Sequence, residues 1–213
     1  MLKTETFVLN AFLENTFIIW DDIQKEAVII DPGCSNSAEE KLIGGFIKDN
    51  GLKLKYLFNT HCHIDHILGN SFIKSEFNPE FLAGEEDVFL LELMEHQARN
   101  YGMQMKKSPV PDSFFSDNQS LYLAGHEIVP IFTPGHSPGE FSLYFKGNNF
   151  CVTGDVLFQE GIGRTDLWGG DYDKLIESIE NRLFSLPDDT IIYPGHGSSS
   201  TILHEKTNNP FLN

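Results

Sequence analysis

The densest group of potential metal ligands lies within six residues, His61-Cys62-His63-Ile64-Asp65-His66. If this segment is extended up to His63, the side chains of His61 and His63 project to the same side, because side chains in a strand alternate with period two. A turn into a helix at Asp65 would bring that carboxylate and His66 towards the same point. The spacing of these imidazole and carboxylate groups therefore indicates a site for one or two divalent metal ions.

Two further histidines and one further aspartate follow apolar strands. His136 and His196 each come directly after a Pro-Gly turn, and Asp155 follows Gly154. Loops at strand ends commonly build functional sites, so these three side chains are candidates to complete the cluster. The Asp155 carboxylate could supply an oxygen that bridges two ions. Most isolated histidines are surface or core residues, and we expect ordinary roles for His96, His126 and His204.

The order of these motifs resembles that of the metallo-β-lactamase superfamily over nearly the whole chain, with matching segments at 30–33, 61–66, 135–136, 154–155 and 195–196. The resemblance implies an α/β fold of four layers, an αββα sandwich of two mixed β-sheets with helices on the outer faces. It implies two metal-binding groups bridged by Asp155. The first would be His61, His63 and His136, and the second would be Asp65, His66 and His196. Asp31 matches a family position whose side chain supports the metal ligands without binding the metal itself. The alternative role for Asp31 is that of an ordinary turn carboxylate.

Within that superfamily the chain most resembles glyoxalase II, the hydroxyacylglutathione hydrolases, and especially their short bacterial type. The segments that carry this resemblance are 133–139, 154–158, 163–167, 193–197 and 204–211. Only 17 residues follow His196 in the chain of 213. We therefore expect the C-terminal helical region that binds glutathione in full-length glyoxalase II to be absent. The resemblance supports the chemistry more strongly than it supports glutathione as the thiol carrier.

Thioester hydrolysis suits such a site. Two bound divalent ions lower the pKa of water to about 7, so that a hydroxide held between them can attack an acyl carbonyl. A thiol, with a pKa of about 8.5, leaves as a thiolate without obligatory protonation. We expect Asp65 to position the nucleophile and to accept its proton. Five histidines and two aspartates suit zinc, iron or manganese, and zinc is our first expectation.

Two other reactions remain open from the sequence. Persulfide dioxygenases resemble this chain in fold and in the Gly-Arg-Thr-Asp stretch at 163–166, and they use one iron held by two histidines and one carboxylate. The corresponding residues here would be His61, His136 and Asp155. Hydrolysis of a lactone or a β-lactam is the other alternative. A purely binding or structural protein is disfavoured, because all seven ligand positions are present.

Four residues are candidates for contacts with an anionic substrate: Arg164, Tyr101, Lys106 and Lys107. Arg164 lies in a glycine-rich loop nine residues after Asp155, and a salt bridge to Asp166 is an equally reasonable role for it. The other three belong to a segment over 100–118 that is rich in glycine, proline, serine and basic residues. We interpret that segment as a loop or lid, in which a solvated position is the default.

The composition limits the partners and the compartment. Fifteen basic against 31 acidic residues give a formal net charge of −16, which disfavours nucleic acid and anionic membranes as partners. The three cysteines, Cys34, Cys62 and Cys151, form no CxxC pair, so they indicate neither a disulfide framework nor a four-cysteine zinc site. We expect one domain over 1–213, a cytoplasmic location, a small-molecule thioester as substrate and a monomer or homodimer.

Short strands and helices must position these residues. Period-two runs predict strands over 6–9, 15–20, 27–30, 55–59, 121–123, 127–132, 142–145, 150–153 and 190–193. Helical spacing and boundary signals predict helices over 37–49, 65–77, 85–99 and 172–184. Strands and helices thus recur in two blocks, about 1–100 and 120–200. This order predicts two sheets packed together with helices outside them.

Overall fold

The computed structural model describes residues 1–100 and 106–212. Tyr101, one of the candidate substrate contacts, lies outside the described residues. Within the described part of the chain, no helix has the length and apolar character that a membrane span requires.

The first half of the chain forms a mixed sheet of six strands in sequential order: β1 (Leu2–Leu9), β2 (Glu14–Asp21), β3 (Glu26–Ile30), β4 (Lys53–Phe58), β5 (Glu80–Ala83) and β6 (Ser113–Phe114). Strands β1 to β3 pair antiparallel, and β3 to β6 pair parallel. Parallel neighbours need crossover connections, and helices supply them here: α1 (Ser37–Asp49), α2 (Ile64–Ile67), α3 (Asn70–Phe77) and α4 (Val88–Asn100).

The second half forms another six-stranded sheet, with strands β7 (Leu121–Leu123), β8 (His126–Phe132), β9 (Phe141–Phe145), β10 (Phe150–Gly154), β13 (Ile191–Pro194) and β14 (Ser200–Thr201). The spatial order is β14-β13-β10-β9-β8-β7, and only β10 and β13 pair parallel. Between them the chain forms a hairpin of β11 (Leu157–Phe158) and β12 (Gly161–Ile162), followed by α5 (Tyr172–Asn181). The last helix is α6 (Ile202–Asn208).

Alternating side chains divide the core into three apolar layers. On β2, Ile18 and Trp20 pack with α1, α3 and α4, whereas Phe17 and Ile19 pack against residues of the second sheet such as Leu143. Residues on the outer face of the second sheet pack against α5 and α6. The order of layers is therefore helices, sheet, sheet, helices. This confirms the predicted αββα sandwich with two mixed sheets.

Several details differ from the expected elements. The helix predicted over 65–77 is two helices, because the Gly69 N–H donates to Pro32 O at 2.6 Å rather than continuing α2. Strand β5 was not predicted, since its apolar stretch of Phe81, Leu82 and Ala83 is too short to show a period. The expected loop over 100–118 contains the short strand β6, and helix α6 near the C-terminus was also unpredicted.

Candidate metal centre

The ends of several strands meet at one edge of the sandwich. In the first sheet β3 and β4 run parallel. In the second, β8 and β10 both pair antiparallel with β9, and β13 is parallel to β10, so β8, β10 and β13 point the same way. The loops after these strands carry the predicted ligands: Asp31 follows β3, His61 follows β4, His136 follows β8, Asp155 follows β10 and His196 follows β13. The topology therefore brings residues far apart in sequence to one place.

The first ligand group consists of His61, His63 and His136, whose ligand-capable nitrogens all lie within 4.8 Å of one another. All three side chains are buried. The Nδ1 atom of His63 is 2.8 Å from the Nε2 atom of His136. Two imidazole nitrogens at this separation must share a proton or a cation between them.

The second ligand group consists of Asp65, His66 and His196, which also meet within 4.8 Å. The Nε2 atom of His196 lies 3.2 Å from Asp65 Oδ2, and the Nε2 atom of His66 lies 3.7 Å from the same oxygen. The start of α2 at Ile64 turns Asp65 and His66 towards the histidines of the preceding loop, as the predicted turn into a helix requires.

Asp155 lies between the two groups. Its Oδ2 atom is 3.6 Å from the Nε2 atoms of both His136 and His196, and its Oδ1 atom is 3.5 Å from His66 Nε2. Gly154, in the left-handed region at φ +53°, turns the chain out of β10, and the Asp155 N–H donates to Glu140 Oε1 at 2.8 Å. One carboxylate thus contacts histidines of both ligand groups, which is the arrangement a bridging ligand needs.

Several buried polar atoms of the cluster face no protein partner. Among the described residues, no hydrogen bond reaches Nε2 of His61, His63 or His66, or Oδ1 of Asp155. Buried polar atoms are rarely left unpaired in folded proteins. Nitrogen and carboxylate oxygen donors in this number are what divalent transition metals take from proteins. The residues therefore fit two metal ions, one in each ligand group.

Hydrogen bonds behind the ligands fix which ring nitrogen faces the centre. The Thr60 hydroxyl donates to Asp31 Oδ2 at 2.6 Å, so its oxygen accepts from His61 Nδ1 at 3.2 Å. His66 Nδ1 lies 3.1 Å from Asp31 Oδ2, and His136 Nδ1 donates to the Arg164 carbonyl at 2.7 Å. In the neutral ring, a proton on Nδ1 leaves the Nε2 atom of each of these three histidines with a lone pair for a metal.

The protonation of the cluster differs between the two groups. Burial, reinforced by the neighbouring imidazoles, holds the pKa of His61 well below its usual value, and burial likewise lowers the pKa of His63 to about 3. Both rings are therefore neutral, the form that binds metal. Burial also lowers the pKa of His66, but the carboxylates of Asp65 and Asp155 raise it by more, to well above its usual value. Asp65 gives the second ligand group a carboxylate that the first lacks, and this charge is one cause of the raised pKa of His66.

A cavity of about 410 Å³ opens beside the ligands. Apart from the ligands themselves, its wall is mainly apolar, with Gln97 and Arg164 as the polar members; the apolar residues are Phe12, Ile64, Phe158, Ile162, Leu167 and Trp168. Arg164 forms a bidentate ion pair with Asp166, in which the Nε–Oδ1 and Nη2–Oδ2 distances are both 2.7 Å. The cavity can accommodate a small molecule with an apolar part next to the metal-binding side chains.

The structure separates the candidate substrate contacts. Arg164 lines the cavity beside the ligands and also forms the salt bridge to Asp166 that the sequence allowed. Lys106 instead lines a smaller cavity of about 130 Å³ together with Cys34 and Glu40. Lys107 is exposed. Of the described candidates, Arg164 is the one beside the ligand groups.

Two buried acids near the centre were not predicted as site residues. Glu140 contacts the Asp155 N–H and lies 3.6 Å from His61 Nδ1, and burial raises its pKa well above the usual value. Asp87 accepts hydrogen bonds from the loops that carry the first ligand group. The signal for Glu140 was an acid at the start of the apolar strand β9. Asp87 follows Glu85 and Glu86, and the sequence alone gave no means of separating it from them.

Known proteins resemble the chain over its whole length. Hydroxyacylglutathione hydrolase GloC of Haemophilus influenzae is 42% identical over 214 residues, which cover 100% of this chain and 99% of the relative. The mitochondrial persulfide dioxygenase ETHE1 of Homo sapiens is 32% identical over 201 residues, covering 92% of this chain and 70% of the relative.

Solved structures agree with the fold and with the metal-binding character of the site. The B3 metallo-beta-lactamase BLEG-1 superposes with a TM-score of 0.91 at 32% identity, covering 99% of this chain and 100% of the other. TTHA1623, solved in a di-iron-bound form, superposes with a TM-score of 0.87 at 29% identity, covering 98% and 100%. The family model for the metallo-beta-lactamase superfamily matches residues 9–196. The chain therefore belongs to the metallo-beta-lactamase superfamily, as its ordered motifs predicted, and it is an enzyme of the metallo-hydrolase type.

Proposed function

We propose that this protein hydrolyses a thioester such as S-lactoylglutathione at a centre of two divalent metal ions. The observation that carries the proposal is the position of Asp155, within 3.6 Å of histidines from both ligand groups. The similarity to a hydroxyacylglutathione hydrolase over the full length of both chains supports the choice of substrate.

Each of the two ions would be held by its own set of three residues. His61, His63 and His136 would hold the first ion; Asp65, His66 and His196 would hold the second, with Asp155 shared. When bound, such ions supply a nucleophile at neutral pH by lowering the pKa of water and polarise the acyl oxygen of the substrate. We propose zinc at both positions, and metal analysis of the purified protein tests this, with iron and manganese as the alternatives.

Asp65 is the residue proposed to act directly in catalysis. Burial raises its pKa, but His66 and His196 lower it by more, so the carboxylate is ionised at neutral pH. It lines the cavity, and its side chain is 14% exposed. An ionised carboxylate in this place can orient a water molecule and accept its proton. The thiol leaving group needs no dedicated acid, because its pKa lies close to neutral.

The cavity wall supports a substrate with one apolar and one anionic part. Phe158 and Trp168 provide an apolar surface beside the ligands, and Arg164, which pairs with Asp166, would exchange that partner to bind an anionic group. We also propose Lys106, Lys107 and Tyr101 as outer contacts for an anionic thiol, to be tested by substitution. We also propose a cytoplasmic protein, monomeric or homodimeric. The net charge of −16 supports the absence of nucleic-acid and anionic-membrane partners.

Hydrolysis of S-lactoylglutathione by the zinc-loaded protein tests the function. We expect turnover in the wild type and a loss of at least 100-fold in Asp155→Asn and Asp65→Asn, with His204→Ala as the control. His204 is a surface histidine that pairs with Glu160. A wild type that binds two ions and does not cleave the thioester would reject the substrate class. A control as inactive as the Asp155 variant would reject the assigned residues.

Persulfide oxidation is the second candidate. It is favoured by the similarity to ETHE1 and by the set of His61, His136 and Asp155, in which His136 Nε2 lies 3.6 Å from Asp155 Oδ2. Oxygen consumption by the iron-loaded protein with glutathione persulfide tests it directly. Including a lactone and a chromogenic β-lactam in the same panel tests the other hydrolytic reactions. Oxygen uptake without thioester cleavage would replace the primary proposal.

A further inference from the structure

Asp87 differs from the acidic residues that precede it. Glu85, Glu86 and Asp87 form a 3-10 turn between β5 and α4, and the two glutamates are exposed. Asp87 is 0% exposed and points into the protein. Burying a carboxylate is costly unless it is hydrogen-bonded, so its partners indicate why it is there.

Those partners belong to the two loops that supply the first ligand group. Asp87 Oδ2 accepts from the Cys62 N–H at 2.9 Å and from the Ser137 hydroxyl at 2.7 Å, and Asp87 Oδ1 accepts from the Gly139 N–H at 2.6 Å. Cys62 lies between His61 and His63, and Ser137 directly follows His136. A single carboxylate therefore joins the loop after β4 to the loop after β8.

The backbones around this carboxylate leave no space for another arrangement. A Cβ atom added at Gly84 would overlap the carbonyl oxygen of Gly139. A Cβ atom added at Gly139 would lie 2.5 Å from the Asp87 N atom and 2.8 Å from its Oδ1 atom. The turn at 84–87 and the loop at 137–139 are thus in direct contact, which fixes the carboxylate relative to the loop after β8.

We propose that Asp87 is a positioning residue that sets the separation of His63 and His136, and so determines the affinity of the first ligand group for its metal ion. The inference rests on the proposed metal centre and not on the choice of substrate. Asp87 touches neither ligand group through its own side chain atoms; it acts through the backbone of Cys62 and Gly139 and the hydroxyl of Ser137.

Asp87→Asn is the most informative substitution. The three donors need acceptor oxygens at both side-chain positions, and the asparagine NH₂ would face at least one N–H in either orientation. The matched control is Asp21→Asn. Asp21 is another carboxylate of low exposure, 4%, that accepts from the backbone N–H groups of Ile23 and Gln24, and it contacts none of the ligands.

Zinc affinity is measured for each variant by competition with a chromophoric chelator, and the visible spectrum of the cobalt(II)-loaded protein reports the ligand geometry. Loss of a residue that supports metal ligands typically weakens metal affinity 10- to 100-fold. We expect that loss for one of the two ions in Asp87→Asn, with a changed cobalt spectrum, and a smaller loss in Ser137→Ala. Asp21→Asn should bind both ions like the wild type.

Equal and undiminished affinity for both ions in Asp87→Asn would overturn the proposal. So would a loss of both ions together with an unfolding temperature well below that of Asp21→Asn, because that result describes general destabilisation. If Asp87→Asn does not fold, unchanged metal affinity in Ser137→Ala overturns it instead. A wild type that binds two ions without cleaving thioesters rejects the proposed substrate and leaves the role of Asp87 intact.

Discussion

The Nδ1 atom of His63 lies 2.8 Å from the Nε2 atom of His136, although 73 residues separate the two histidines along the chain. The first belongs to a loop of the first sheet and the second to a loop of the second sheet. Their approach shows that the two sheets are packed in a register that aligns ligands from both. It also means that a substitution in either sheet can disturb the same ligand group.

Removing one histidine from each ligand group should affect different ions. We expect His136→Ala to lose the ion of the first group and to retain that of the second, and His196→Ala to show the reverse. The reason is that each substitution removes one of three ligands from one group only. Metal content after dialysis and the cobalt(II) spectrum of each variant measure this. His204→Ala is the control. Retention of two ions in both variants would contradict the division into groups.

Metal binding should stabilise the fold. Among the described residues, Nε2 of His61 and His66 and Oδ1 of Asp155 are buried without a hydrogen-bond partner, and bound ions would satisfy them. A ligand at 100 times its dissociation constant stabilises the native state by about 2.7 kcal/mol. For a chain of this size, that raises the unfolding midpoint by roughly 5–10 °C. Thermal unfolding with zinc and with a chelator checks this, and an equal midpoint in both conditions would be inconsistent with a site in this cluster.

Gly195 should tolerate no side chain. A Cβ atom there would overlap Asp155 Oδ1 and lie 2.7 Å from His66 Cε1. Because both side chains are buried and are proposed as ligands, Gly195→Ala should reduce metal content and lower activity at least tenfold. The matched control is Gly45→Ala in α1, where an added Cβ atom meets nothing within 4 Å. The control should gain roughly 0.5–1 kcal/mol of stability from its higher helix propensity. Equal metal content in the two variants would argue against this account.

Asp21 should make stability depend on acid pH. Hydrogen bonds from the Gln24 N–H and from the N-terminal ammonium group hold its pKa below its usual value of 3.8. A carboxylate with a depressed folded pKa stabilises the protein above its unfolded pKa and loses that contribution as the pH falls through the folded value. We expect Asp21→Asn to be less stable than the wild type at pH 7, with the difference shrinking below about pH 4. Urea unfolding at several pH values measures it; a constant difference would exclude the mechanism.

Local spacing was sufficient to predict part of the centre. His61, His63, Asp65 and His66 lie in one strand-to-helix turn, so their mutual approach follows from backbone geometry. His136, Asp155 and His196 were recognisable from the turns that end their strands. The meeting of these strand ends at one edge of the sandwich follows from the directions of the strands in the two sheets. The division of the core between Phe17 and Ile18 also follows from strand periodicity. The strand-to-helix turn and the alternation on β2 depend on patterns within ten residues, whereas the meeting of the strand ends depends on the pairing of whole strands.

Other features depend on contacts that no local pattern contains. Asp87 has the same sequence context as two exposed glutamates, and only the loop at 137–139 distinguishes it. Lys106 and Arg164 were equal candidates by charge, yet they line different cavities, because side-chain placement depends on how separate elements pack. In the sequence, Glu140 looks like an ordinary residue at the start of a strand, and only the folded structure places it beside Asp155. Tertiary packing, and not propensity, decides each of these cases.

Each ligand group takes members from both sheets: His61 and His63 join His136, and Asp65 and His66 join His196. Neither half of the chain, synthesised alone, would contain all three members of either of these two groups. Under the proposed assignment, binding of an ion by all three members of a group therefore requires the assembled sandwich. The rate at which a refolding chain binds zinc would then report the rate at which its two halves dock. A spectroscopic signal that depends on bound metal could therefore follow the last step of folding.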